Sequence, residues 1–271
     1  MLSGALGAEV LGIDLKDSSI ENWHKINNLL LEHKALFFRD QNITSEEQIN
    51  LAKRFGPLER HIYVKGRENY PEILRIIKEP DEKRQWGETW HTDVSYNPKP
   101  TKVIILRSLK IPPVGGDTMF SNMEIAYETL DEKIKNKIND KKAVHSSLGA
   151  AAFTEAYKAM EGNGNLDEYS NAHPMVRTHP ETGKKILYVN SMYTKKILDT
   201  DAQESEDILN QIFAHQERLD FTCRFKWTEN AVAIWDNRST LHQGLTDFFP
   251  GRGLGHERVM DRIAIEGDHP L

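Results

Sequence analysis

Phe221–His242 reads FTCRFKWTENAVAIWDNRSTLH, two strand-like runs with no helix between them. Phe221–Trp227 alternates apolar and polar residues, the two-residue period of a half-buried strand. Ala231–Trp235 is an apolar strand, and a polar turn after it leads to His242. Working outward, short β segments recur at Ala35–Phe38, Ile73–Ile77, Lys102–Leu109, Ala143–Leu148, Ile186–Asn190 and Val259–Ile265. Regular strand–helix alternation, the mark of a doubly wound parallel sheet, is missing. The pattern therefore predicts a mainly β chain, an antiparallel sandwich decorated by helical insertions.

The helices are signposted individually. Ile20, Trp23, Ile26, Leu29 and Leu30 repeat at helical spacing, and Thr44 with Glu47 makes a capping box ahead of Ile49, Ala52 and Phe55. Gly56-Pro57 stops that second helix. Ser121 with Glu124 reads as another capping box, Ala151–Met160 as a further helix, and Ile208, Leu209, Ile212 and Phe213 as the last before the final strands. Asp131–Lys142, where acids and lysines alternate, reads as a solvated helix face.

Composition narrows the function. The chain has 271 residues, 38% hydrophobic and 28% charged, with no linker or internal repeat, so a single domain over 1–271 is expected. A net charge of −6 and a pI near 6.0 argue against nucleic acid, which needs clustered basic residues. One cysteine, Cys223, permits no internal disulfide and fits a reducing cytoplasm; in its alternating run it reads as a small strand side chain. Met1–Leu15 lacks the basic start of a signal peptide, and no apolar run is long enough for a membrane span.

Four segments could carry chemistry. In Trp90-His91-Thr92-Asp93, residues two apart share a strand face, so His91 and Asp93 can converge on one ion. His242 could complete two imidazoles and a carboxylate, the facial set that leaves open positions on iron(II); without the other motifs it reads as a structural, capping or hydrogen-bonding histidine. Arg258 and Arg262 are four apart and share a strand face, either aimed into a cavity as anion-binding forks or bridged at the surface to Glu257 or Asp261. Val114-Gly115-Gly116-Asp117-Thr118 is a glycine turn that brings a hydroxyl to the start of a strand. His145, His173, His179 and His215 are read as structural.

In this order the segments resemble the taurine dioxygenase family, the iron(II)- and 2-oxoglutarate-dependent oxygenases that include alkylsulfate and aryloxyalkanoate dioxygenases. The resemblance spans nearly the whole chain, from Leu11–Leu15 and Ala35–Arg39 through Phe55–Leu58, WHTD, GGDT, Val176-Arg-Thr-His179 and WDNRSTLH to the final arginines. It implies a double-stranded β-helix, or jelly roll, with flanking helices. It further implies that His91, Asp93 and His242 hold iron(II), that Thr118 and Arg258 hold the far carboxylate of 2-oxoglutarate, and that Arg262 receives the anionic group of a small organic substrate. His61 and the nearby Tyr63 fall where sulfonate-binding members place another substrate contact. Dioxygen is the co-oxidant, succinate and carbon dioxide the by-products, and a homo-oligomer is compatible with the family.

The expected substrate is a sulfonate such as taurine, with a carboxylate or a sulfate ester as the alternative. A zinc hydrolase on the same ligands and a non-catalytic binding module are rivals of other classes. Three departures stand out: Gly87 replaces an amide side chain of taurine-specific members, Asp261 stands where histidine is more usual, and Gly244–His256 is lengthened. Residues 61–88 and 149–172 are expected to form lids.

Overall fold

The computed structural model describes residues 1–17, 19–82, 87–148, 169–247, 249 and 252–271. The main sheet runs β1 (Ala8–Glu9), β2 (Ala35–Phe38), β13 (Val232–Asp236), β5 (Val103–Lys110), β15 (Arg258–Ile265) and β3 (Leu58–Glu59), with β4 (Leu74–Lys78) also paired to β15. Apart from the parallel β1–β2 contact, its pairings are antiparallel. A second antiparallel sheet is ordered β12 (Thr222–Phe225), β6 (Thr118–Asn122), β14 (Thr240–Gly244). A third joins β11 (Thr194–Ile197), β7 (Lys142–Ser146) and β8 (Ser170–Pro174), beside the pair β9 (Val176–Thr178) and β10 (Lys185–Leu187). The mainly β expectation holds.

Both faces of the main sheet are buried, which is why β13 reads as an unbroken apolar run. Val232 and Ile234 face helices α1 (Ile20–His33) and α2 (Ser45–Lys53), packing with Ile26, Leu30, Leu51 and Ala52. Ala233 and Trp235 face the other way, onto Phe120, Cys223, Phe225 and Trp227 of the second sheet and its flank. Strand alternation thus makes one core beneath the helices and another between sheets. The recess described below opens at the inter-sheet core, with Trp235 and Leu106 in its wall.

The Thr44–Glu47 capping box forms as expected, but the Ser121–Glu124 box does not. Ser121 stays in β6 and its hydroxyl donates to the Gln216 carbonyl, so Asn122 caps helix α3 (Met123–Glu128) by accepting from the amides of Glu124 and Ile125. Two further helices are α4 (Glu132–Ile138), within the expected solvated face, and α5 (Ala202–Gln216), which carries Ile208, Leu209 and Ile212 inward. The helix expected at Ala151–Met160 lies outside the described residues, as do residues 83–86 and 149–168 of the expected lids. Among the described residues no helix is long and apolar enough to cross a membrane.

Candidate active site

His91 and His242 are brought together by backbone pairing. Each donates its amide to the other's carbonyl, at 3.0 and 2.9 Å, in an isolated antiparallel bridge that adds the WHTD segment to the edge of β14. Their rings lie 4.1 Å apart between centroids. Asp93 projects to the same point: Oδ1 is 3.1 Å from His91 Nε2 and Oδ2 is 3.9 Å from His242 Nε2. One donor atom from each of the three lies within 4.8 Å of the others, the span a single cation can bridge. His91 Nδ1 sits 2.7 Å from the Thr89 carbonyl. That oxygen can only accept, so Nδ1 carries a proton and Nε2 is the nitrogen turned toward the centre.

Electrostatics keep the set ready for a cation. Burial pushes the His242 imidazole down to about 3, helped by the charges of His91 and Arg262, so its ring is neutral. Burial would raise the Asp93 carboxyl, but Arg262, His242 and His91 together hold it well below the usual carboxylate range. Two imidazoles and a carboxylate, with a recess on one side, are the donor set that suits iron(II) with open positions.

Asn237 supports this arrangement, and sequence reading missed it. Its Oδ1 accepts from the Asp93 amide at 3.1 Å, while Nδ2 donates to the Asp93 carbonyl at 3.2 Å and to the Thr101 carbonyl at 2.8 Å. The turn carrying Asn237 is fixed in turn by Asp236, which accepts from Arg238 and from His179 Nε2 at 2.8 Å, all buried. The VRTH and WDNR motifs therefore meet in one buried ion network behind the site. Burial would raise the Asp236 carboxyl, but Arg238 and His179 drive it far below its ordinary range.

Thr118 and Arg258 line the same recess. Thr118 Oγ1 accepts from Trp227 Nε1 at 3.0 Å, which leaves the hydroxyl's own proton to donate. Arg258 stands over the Trp227 ring at 5.9 Å; its Nε is buried with no hydrogen-bond partner among the described residues, and burial pulls the guanidinium down to about 10. A buried, unpartnered fork beside a donor hydroxyl fits a carboxylate ligand. The GGDT turn is anchored by its other residues: Asp117 and Asp247 both accept from Arg224, and Gly116 N donates to Asp247 at 2.7 Å. Asp247 belongs to the lengthened segment, so that segment is tied to the turn bearing Thr118; Phe248, Pro250 and Gly251 lie outside the described residues.

Arg262 also reaches the recess, but its fork is engaged, donating from Nε and Nη2 to Asp93 Oδ2 at 3.1 and 2.9 Å. Only the N–H groups on Nη1 and the far side of Nη2 remain for a second anion. His61 lines the recess as a neutral ring, pushed down to about 3 by burial, its Nδ1 accepting the amides of Tyr63 and Val64. That local turn directs Tyr63 elsewhere. Its hydroxyl donates to Ser147 Oγ at 2.8 Å and its ring packs against Tyr96 and Tyr169, so Tyr63 does not join His61 in the wall. Tyr193, unremarked in the sequence, does.

Gly87 has a local reason to lack a side chain. Its φ is +77°, and a Cβ there would sit 3.1 Å from His91 Cε1. Asp261 is equally explained: on the strand face opposite Arg262, it accepts from Arg75 Nε and Nη2 and from Arg67 Nη1. It bridges neither Arg258 nor Arg262.

Comparison with known proteins gives one consistent result. The model of the taurine catabolism dioxygenase TauD, TfdA family matches residues 1–263. An alkylsulfatase of Acinetobacter baylyi is 35% identical over 277 residues, covering 98% of this chain and 84% of that protein. A (S)-phenoxypropionate/alpha-ketoglutarate-dioxygenase of Sphingobium herbicidovorans is 32% identical over 282 residues, covering 98% of this chain and 95% of the relative. The crystal structure of a taurine dioxygenase from Burkholderia xenovorans superposes with a TM-score of 0.84 at 33% identity, over 100% of this chain and 89% of that one.

Proposed function

Since this chain belongs to the taurine catabolism dioxygenase TauD, TfdA family and is an iron(II)- and 2-oxoglutarate-dependent dioxygenase, we propose that it oxidises a small sulfonate or sulfate ester at His91, Asp93 and His242. The observation that carries the reading is the meeting of those three donor sets beside two buried arginines in one recess. We read the facing sheets as a double-stranded β-helix, and residues 1–271 as one dioxygenase domain.

When bound, iron(II) with 2-oxoglutarate supplies the oxygen activation and the carbon–hydrogen oxidation. The protein's share is placement. Arg258 and Thr118 hold the far carboxylate of 2-oxoglutarate, matching a guanidinium fork and a hydroxyl donor to its two oxygens. Arg262 keeps Asp93 Oδ2 occupied, so Oδ1 is the oxygen offered to the metal, and its remaining N–H groups take the substrate anion. His61, uncharged and with Nδ1 accepting backbone amides, offers Nε2–H as a neutral donor at the same wall. Ile76, Val94, Leu106 and Trp235 keep the recess apolar, which excludes water and strengthens each charged contact.

The alkylsulfatase likeness supports a sulfur oxyanion substrate. Hydroxylation of the carbon bearing such a group gives a product that falls apart, releasing sulfite or sulfate with a carbonyl compound. A carboxylate substrate of the aryloxy type is the second reading, supported by the apolar wall and by the phenoxypropionate relative. Anaerobic addition of iron(II) and 2-oxoglutarate should produce the visible charge-transfer band of the chelate in the parent protein and not in His242→Ala. Oxygen uptake over a panel of sulfonates, sulfate esters and aryloxy acids then decides the class; uptake with aryloxy acids alone overturns the first reading.

A further inference from the structure

The face of the main sheet away from the recess carries a charged row. Arg75, Asp261 and Arg107 are Cα partners across β4, β15 and β5, so their side chains stand side by side. The buried Asp261 carboxylate takes three hydrogen bonds: Arg75 donates to Oδ1 at 2.8 Å and Oδ2 at 2.9 Å, and Arg67 donates to Oδ2 at 3.1 Å. Arg67 is tied as well to Ser45 Oγ, at 2.8 Å. Arg107 is left over, its Nε buried without a hydrogen-bond partner among the described residues.

The carboxylates acting on the three guanidinium groups are Asp261 and Glu47 at Arg107 and Glu46 at Arg67, and among the described residues none of them hydrogen-bonds the Arg107 side chain. Burial, Arg75 and Arg67 all work against the charge on Arg107. A solvated surface arginine needs no partner, but a half-buried one pressed between like charges is stabilised by an anion. The cluster is reachable, because the Arg67 and Arg75 side chains are 28% and 35% exposed. Forks from different elements suit an oxyanion whose oxygens point in several directions.

We propose that Arg67, Arg75 and Arg107 form a binding site for a small tetrahedral oxyanion, phosphate or sulfate, on the sheet face behind Arg262. It is separate from the recess, since neighbouring residues of a strand point to opposite faces. Inorganic phosphate is the probe, titrated calorimetrically into the metal-free full chain at constant ionic strength. Saturable binding is expected in the parent and in the recess variant Arg258→Met/Arg262→Met, and a loss of about tenfold or more in Arg107→Gln, corresponding to one charge-assisted contact. The Arg107 side chain makes no hydrogen bond among the described residues, so its replacement strips no partner there; Arg67→Gln is a second variant expected to lose binding. Sulfate should compete. Absence of saturable binding in the parent, binding that survives Arg107→Gln but disappears in the recess variant, or equal competition by acetate would each overturn the proposal.

Discussion

Replacing Asn237 by alanine tests whether the site is held by the turn behind it. The side chain is fully buried and makes three hydrogen bonds, two of them to the backbone of Asp93. Asn237→Ala strands one amide and two carbonyls. Each buried unsatisfied group costs roughly 1–3 kcal/mol, and water entering the space left by the amide recovers part, so a net loss of about 2–4 kcal/mol is expected. The same change frees Asp93 to shift away from His91 and His242, and partners that orient a metal ligand are typically worth about 10- to 100-fold in metal affinity. Asn237→Asp is the sharper variant: its carboxylate still accepts from the Asp93 amide but meets two carbonyl oxygens without a proton to offer. Thermal melting and anaerobic titration with iron(II) or manganese(II) give the two readouts. A variant that melts lower as expected yet binds metal within twofold of the parent would refute the clamp and leave Asn237 a purely structural residue.

Other perturbations separate the remaining roles. Gly87→Ala puts a Cβ against His91 at a positive φ, a strain of roughly 1–2 kcal/mol, and should weaken metal binding in the same titration; unchanged affinity would show that the His91 ring yields freely. Arg258→Met should weaken 2-oxoglutarate binding by roughly 30-fold or more, while the melting temperature of the ligand-free protein holds or rises because a buried unpartnered cation is removed; a lower melting temperature contradicts this account. Asp236→Asn should cost about 3 kcal/mol at neutral pH by leaving the buried Arg238 with only the partly exposed Glu181 as its carboxylate. Because the folded Asp236 carboxyl lies below its unfolded value near 3.9, that contribution is full above about pH 5 and fades as pH falls, so the gap between parent and variant should narrow on acidification. Burial pushes the Cys223 thiol up to about 12, so a thiol reagent at pH 8 should leave the native protein unmodified and react on unfolding.

Hydropathy found the strands that the core requires and missed the one that carries His242. Ala231–Trp235 is legible because both faces of the sheet are covered there, so its apolar residues run together, and Val259–Ile265 because apolar residues flank its Asp261-Arg262 pair. Thr240–Gly244 carries TLHQG, and nothing in that composition marks a strand. It is one because β6 pairs with it and because its edge receives His91. The polar residues that hide it are those that serve the recess. Phe221–Trp227 was read too long, since Leu219–Phe221 forms a single 3-10 turn before β12 begins at Thr222. The Ser121 cap failed through competition: two adjacent residues could cap α3, and pairing of Ser121 with both Thr222 and Leu241 keeps it in the sheet.

For the site, spacing alone was enough where the side chains lie on one strand, and not where they come from several. His91 with Asp93, and Arg258 with Arg262, follow from a period of two. The same period hides a second consequence in Glu257–Ile265. If Arg262 faces the recess, Asp261 must face the helices, and a carboxylate buried there needs cations from other strands. Those cations, Arg67, Arg75 and Arg107, lie between 154 and 194 residues away and carry no motif. Arg262 and Asp261 therefore solve opposite problems on adjacent residues: one guanidinium brings positive charge to a carboxylate in the recess, and one carboxylate brings negative charge to guanidiniums behind it. Asp261→Ala separates the two. It should destabilise the protein by roughly 3–5 kcal/mol, since it leaves clustered cations without their carboxylate. If the two faces are independent, metal binding at His91, Asp93 and His242 stays intact in the fraction that remains folded.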